Sequence, residues 1–107
     1  MTKSSPEWRV QHAALLAEKL ADIVLREDPD NLQWRHKLLD IRDVLVRAEG
    51  GPQAALQNAA AMFVGMYKGP RNFSDFYIYR RDEDARIEAN NKFTEMTDDL
   101  QKTLRDS

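Results

Sequence analysis

Apolar residues recur at intervals of three and four in four separate stretches of the chain, the period of helices with one buried face. The first stretch opens at Ser5-Pro6, with serine suited to the N-cap and proline to the first helical position. Val10, Ala13, Leu16, Leu20 and Ile23 share its apolar face, with Val24 beside them. It ends near Glu27, because Asp28 precedes Pro29 and a residue before proline is pushed out of the α region. A second helix is expected from Asp30, where Gln33 completes a capping-box pattern, with Trp34, Leu38, Ile41, Leu45 and Ala48 as its stripe. Gly50-Gly51 supply the left-handed conformations that close it. Pro52 opens a third helix striped by Leu56, Ala59, Phe63 and Met66. Ala54, Ala55, Ala59, Ala60 and Ala61 make that helix slim, which marks it as the central one. The fourth begins at Asp82-Glu83-Asp84, acids favoured at a helix start, and carries Ala89, Phe93, Met96, Leu100 and Leu104.

Residues 65–81 break this rhythm. Gly65 and Gly69-Pro70 punctuate turns, and Phe73 to Tyr79 is rich in strand formers, so the segment reads as extended. In an extended chain Phe76 and Ile78 share one side while Tyr77 and Tyr79 share the other. The expected fold is therefore all-α: a single domain over residues 1–107, a four-helix bundle with an extended aromatic loop between helices 3 and 4. Residues 1–4 and 105–107 are expected to fray.

The chain has 107 residues, 42% of them hydrophobic and 32% charged, the balance of one small globular domain. It has no cysteine and two histidines, which removes thiolate chemistry and leaves too few ligands for the usual zinc sets. No cofactor or metal is expected, and no enzyme. Ser74 beside Asp75 has no neighbouring histidine to act as base, and the acids at 82–84 are explained by helix capping. The longest apolar run, Ala59 to Val64, has six residues, far short of the roughly 20 that span a bilayer. With an N-terminus that lacks an apolar signal region, this points to a cytoplasmic protein with no membrane partner.

Net charge is −2, divided as −2 over residues 1–31, +4 over 32–81 and −4 over 82–107. Asp22–Arg26, Asp43–Arg47, Glu88–Lys92 and Asp98–Lys102 have the helpful i,i+4 order of a solvated helix face. The positive middle block is too weak for a nucleic-acid binder, so stacking of single-stranded bases on the tyrosines is disfavoured. It suits attraction to an acidic patch on a protein.

That leaves the 65–81 segment as the candidate site. Five of the nine aromatic residues fall within it, and Lys68, Arg71, Arg80 and Arg81 surround them with Asp75 in opposition. The candidate partner-binding residues are Tyr67, Lys68, Arg71, Asp75, Tyr77, Tyr79, Arg80 and Arg81. Tyrosine and arginine are enriched at binding hot spots because each buries a large area while keeping a polar tip. The competing explanation is that the loop caps one end of a small core that needs every aromatic it has. The orientation of Tyr77 and Tyr79 decides between them.

Met62-Phe63-Val64-Gly65-Met66 followed by Asn72-Phe73-Ser74-Asp75-Phe76-Tyr77-Ile78 resembles a family of small uncharacterised bacterial proteins. That family carries a Phe-Gly-Gly-Met run, then Gly-Ser-Phe-Asn-Asp and apolar residues, and a final helix similar to Ala85–Phe93 here. Val64 and Ser74 depart from its pattern, and the Tyr67–Arg71 loop is longer. The helical layout also looks like the small immunity proteins of type VI secretion and other toxin systems. In particular, Leu32 to Arg47 resembles the central helix of the immunity protein for an effector that destroys nicotinamide dinucleotides. These resemblances imply a protein that binds and occludes a cognate toxin or effector, with no catalytic residues to carry over. The alternative is a self-associating structural or regulatory bundle, a homodimer joined at Trp34 or the tyrosines.

Overall fold

The computed structural model describes residues 5–105. Most of the expected fraying lies outside those residues, although Arg105 is helical and closes the last helix. Four α-helices follow one another, with no strand among the described residues: α1 Pro6–Glu27, α2 Gln33–Arg47, α3 Pro52–Gly65 and α4 Glu83–Arg105. The expected four-helix bundle is the fold. Short links reverse the chain between α1, α2 and α3, and the segment 66–82 leads into α4, so successive helices run up and down.

Ser5 caps α1 as expected, its Oγ accepting the Trp8 amide at 3.2 Å. The capping box of the second helix does not form. The helix begins three residues later than Asp30, with Leu32 at the N-cap and no side-chain cap. At its end Ala48 takes the left-handed conformation, with φ 48° and ψ 42°, and Gly50 and Gly51 shape the turn behind it. Asp82 caps α4, its Oδ2 accepting the Ala85 amide at 2.8 Å. The acids at 82–84 therefore sit at a helix start, as their spacing implies.

One buried cluster gathers all four helices: Leu16, Leu20 and Val24 of α1, Leu38, Ile41 and Leu45 of α2, Leu56 and Phe63 of α3, Phe93, Leu100 and Leu104 of α4. The slim third helix is not the one with the widest buried face. That is α1, which packs against all three others and most extensively against α2. Its face is rotated from the expected stripe, because Ala17 and Ala21 are fully buried while Val10 and Ile23 are half-buried. Small residues cost little to bury and let backbones approach. The alanines of α3 act similarly: Ala55 and Ala59 are buried, and α3 reaches across to α1 as well as to its two neighbours.

Of the four i,i+4 pairs, Glu88–Lys92 closes at 3.1 Å. Asp43 instead meets Arg42 at 3.0 Å, and Arg26 meets Glu27 at 3.6 Å. Such loose exchange of partners is expected of exposed charges, each worth only ~0.2–0.5 kcal/mol.

Candidate partner-binding site

The segment between α3 and α4 is built around Phe73. Its backbone amide donates to the Met66 carbonyl at 2.8 Å, and its ring is buried against Trp34, Tyr67, Phe76 and Phe93, at centroid separations of 5.3, 5.7, 6.1 and 5.8 Å. Trp34 belongs to α2 and Phe93 to α4, while Tyr67 and Phe76 lie in the connecting segment itself, so Phe73 ties that segment to both helices. Edge-on and tilted aromatic contacts add ~0.5–1.5 kcal/mol beyond area burial.

Here the expected extended run is interrupted. Phe73–Asp75 form one turn of 3₁₀ helix, and extended backbone resumes at Phe76, with φ −64° and ψ 133°. The turn has a local cause: Asn72 Oδ1 accepts the Ser74 amide at 2.9 Å and also the Ser74 hydroxyl, while Asn72 Nδ2 donates to the Gly69 carbonyl at 2.9 Å. An Asx side chain that satisfies the backbone in this way favours a turn over a strand. Ser74 is thereby engaged as a turn residue.

Beyond the turn, the sides alternate as an extended chain requires. Ile78 is 4% exposed and Phe76 is half-buried against Phe93, whereas Tyr77 is 59% and Tyr79 72% exposed. Two clamps hold this backbone. Asn90 of α4 accepts the Ile78 amide at 2.9 Å and donates to the Ile78 carbonyl at 2.8 Å, pairing it as a neighbouring strand would. Arg80 donates through both terminal nitrogens to Glu27 at the end of α1, each contact 2.7 Å. The Arg80 hydrogen bonds hold the Glu27 carboxyl below its ordinary range against the opposing effect of burial.

The eight candidate residues thus separate by role. Tyr77, Tyr79, Lys68, Arg71, Asp75 and Arg81 are exposed, and no ion pair among the described residues involves their charged members. Tyr67 packs edge-on between Phe63 and Phe73, and burial, aided by the Asp98 charge, pushes its hydroxyl pKa up. Arg80 faces Glu27 of its own chain. Trp34 is 6% exposed against Phe73, so little of its ring is left for a dimer contact.

Sequence spacing gave no signal for Asn90 or Glu27, because both act across the fold rather than along a helix. Asn90 stood in the Ala85–Phe93 stretch with no role of its own, and Glu27 marked only the end of the first helix.

Between the α1–α2 turn and this segment lies an open cleft of about 480 Å³, lined among others by Glu27, Asp28, Trp34, Arg71, Asp75 and Tyr77. Among the described residues no group of His, Cys, Asp and Glu is placed to hold a metal ion, and no helix is long and apolar enough to cross a membrane. No protein-family model, curated protein or solved structure matches the chain.

Proposed function

We propose that this protein is a non-enzymatic binding module whose contact surface is the outer side of the segment from Tyr67 to Arg81. One observation carries the reading. Tyr77 and Tyr79 turn outward on a backbone that Phe73, Asn90 and Arg80 fix from behind. A small core that needed those rings would have taken them in, as it takes Phe73. Holding the tyrosines on a fixed backbone reduces the ordering cost of binding, the general advantage of a preorganised surface. Lys68, Arg71 and Arg81 form a charged rim that favours encounter with an acidic face.

In its specific form the proposal is a cytoplasmic bacterial immunity protein that occludes a cognate toxin or effector by covering it. The resemblance to small helical immunity proteins supports this form. The tyrosines anchor and the rim orients.

The test is affinity capture of a stoichiometric partner, followed by titration of wild type and the Tyr77→Ala/Tyr79→Ala double variant against it. A loss of ~2 kcal/mol, roughly thirtyfold in Kd, is expected. Unchanged affinity in a folded double variant overturns the reading. Sedimentation of the purified chain at micromolar concentration addresses the homodimer alternative, and a stable dimer lost in the same variant would replace the toxin reading.

A further inference from the structure

We infer that the cleft beside Tyr77 receives a cationic side chain of the partner, an arginine guanidinium in particular. The inference rests on the binding reading above and sets one cation within the otherwise acidic face expected of the partner.

The charges in the cleft do not balance. Glu27 is answered by Arg80, with both carboxylate oxygens engaged. Asp28 and Asp75 also line the cleft and take part in no ion pair among the described residues, while Arg71 is the one cation among its lining residues. Beyond the Glu27–Arg80 pair, the lining therefore holds two acids and one base. Asp28 is the C-cap of α1 and opens the turn to α2, its carbonyl accepting the Asn31 amide at 3.2 Å, so it enters the cleft from a turn position that favours aspartate before proline.

The walls fit the same ligand. Exposed Tyr77, half-buried Phe76 and buried Trp34 are all among the lining residues. A planar guanidinium stacks on aromatic faces and donates in pairs to carboxylates, a combination an ammonium meets less well. The fold already shows a cation over an aromatic ring, since Lys37 Nζ lies 5.5 Å from the Trp34 ring centroid. Lys37 lines a different groove, against α3, and does not fill this cleft. A volume of about 480 Å³ accommodates one long side chain with its backbone.

The experiment is an amide-shift titration of the full chain with the blocked tripeptide acetyl-Gly-Arg-Gly-amide, and with acetyl-Gly-Glu-Gly-amide as its charge opposite. The arginine peptide is expected to shift Asn31, Asp75 and Tyr77 saturably, and to bind at least tenfold more weakly to Asp28→Asn/Asp75→Asn. Both changes lie at exposed or half-exposed positions, and spectra away from the cleft verify the fold. Arg71→Gln should tighten binding two- to threefold by removing the competing cation. Shifts from the glutamate peptide in place of the arginine peptide overturn the inference, as does unchanged binding to the double asparagine variant or no response to either peptide. Those results leave the tyrosine experiment to decide the binding reading by itself.

Discussion

Both ends of the bundle are fastened by an arginine, and the two fastenings differ in kind. At the end where α1 begins and α4 finishes, Arg9 is 3% exposed and donates to the Thr103 and Leu104 carbonyls at 2.9 and 3.2 Å. Those are two of the last carbonyls of α4, which have no partner within the helix. Trp8 stacks on His12, which meets Asp99 at 3.1 Å, and Thr103 reaches the same carboxylate. Here the last turn of one helix is closed against the first turns of another. At the opposite end Arg80 is half-exposed and grips a carboxylate, beside an open cleft and two outward tyrosines. The first end satisfies backbone groups that would otherwise be unpaired. The second holds a surface in place, and the difference separates a stabilising end from a presenting one.

Replacing Phe73 with alanine should break the contrast most severely, because the presenting end has no core without it. A loss of ~3–5 kcal/mol in urea unfolding is expected. A loss below 1 kcal/mol would mean that the loop is only draped over the bundle.

Next in size is Arg9→Met, which keeps the apolar stem but strands two carbonyls. It should cost ~2 kcal/mol, with hydrogen exchange accelerated in the last turn of α4 and unchanged at Ile78.

Asn90→Ala should act at the other end by ~1–2 kcal/mol, exposing the Ile78 amide to exchange while the Arg9 end keeps its protection.

A smaller effect follows pH. Glu27 is held below its ordinary value of 4.5 in the folded chain, chiefly by the Arg80 hydrogen bonds, so its contribution is complete above that value and fades as acid protonates the folded carboxyl. The melting-temperature difference between wild type and Glu27→Gln should accordingly be present at pH 7 and close as the pH falls below about 4.5. Arg9 itself donates to carbonyls, which do not titrate.

Least of all, Glu88→Ala should change stability by no more than ~0.5 kcal/mol, since the Glu88–Lys92 pair is exposed on both sides.

Much of this contrast was invisible along the chain. The alternation of Phe76, Tyr77, Ile78 and Tyr79 was legible, because an extended backbone with one docked face leaves its neighbours no choice. The 3₁₀ turn at Phe73 was not, although Asn72 sat beside it, because a side-chain bond to the Ser74 amide competes with extension only once the loop ends are fixed. Arg80 read as part of a free basic patch, and its partner lies 53 residues away on another helix. Arg9 gave no sign of burial, since an arginine near a helix start is ordinarily solvated.

What the sequence alone determined is the set of local choices: a four-helix rhythm, where proline and glycine stop it, and the one segment outside it. Those follow from backbone sterics and from the period at which apolar side chains must recur to share a face. Tertiary structure decided which charges were free. Ion pairing and backbone satisfaction depend on groups tens of residues apart coming within about 3 Å, and no spacing rule encodes that distance. It also decided that Asp28 and Asp75 stand in one cleft beside Tyr77, a juxtaposition made by the packing of three elements and by nothing local to any of them.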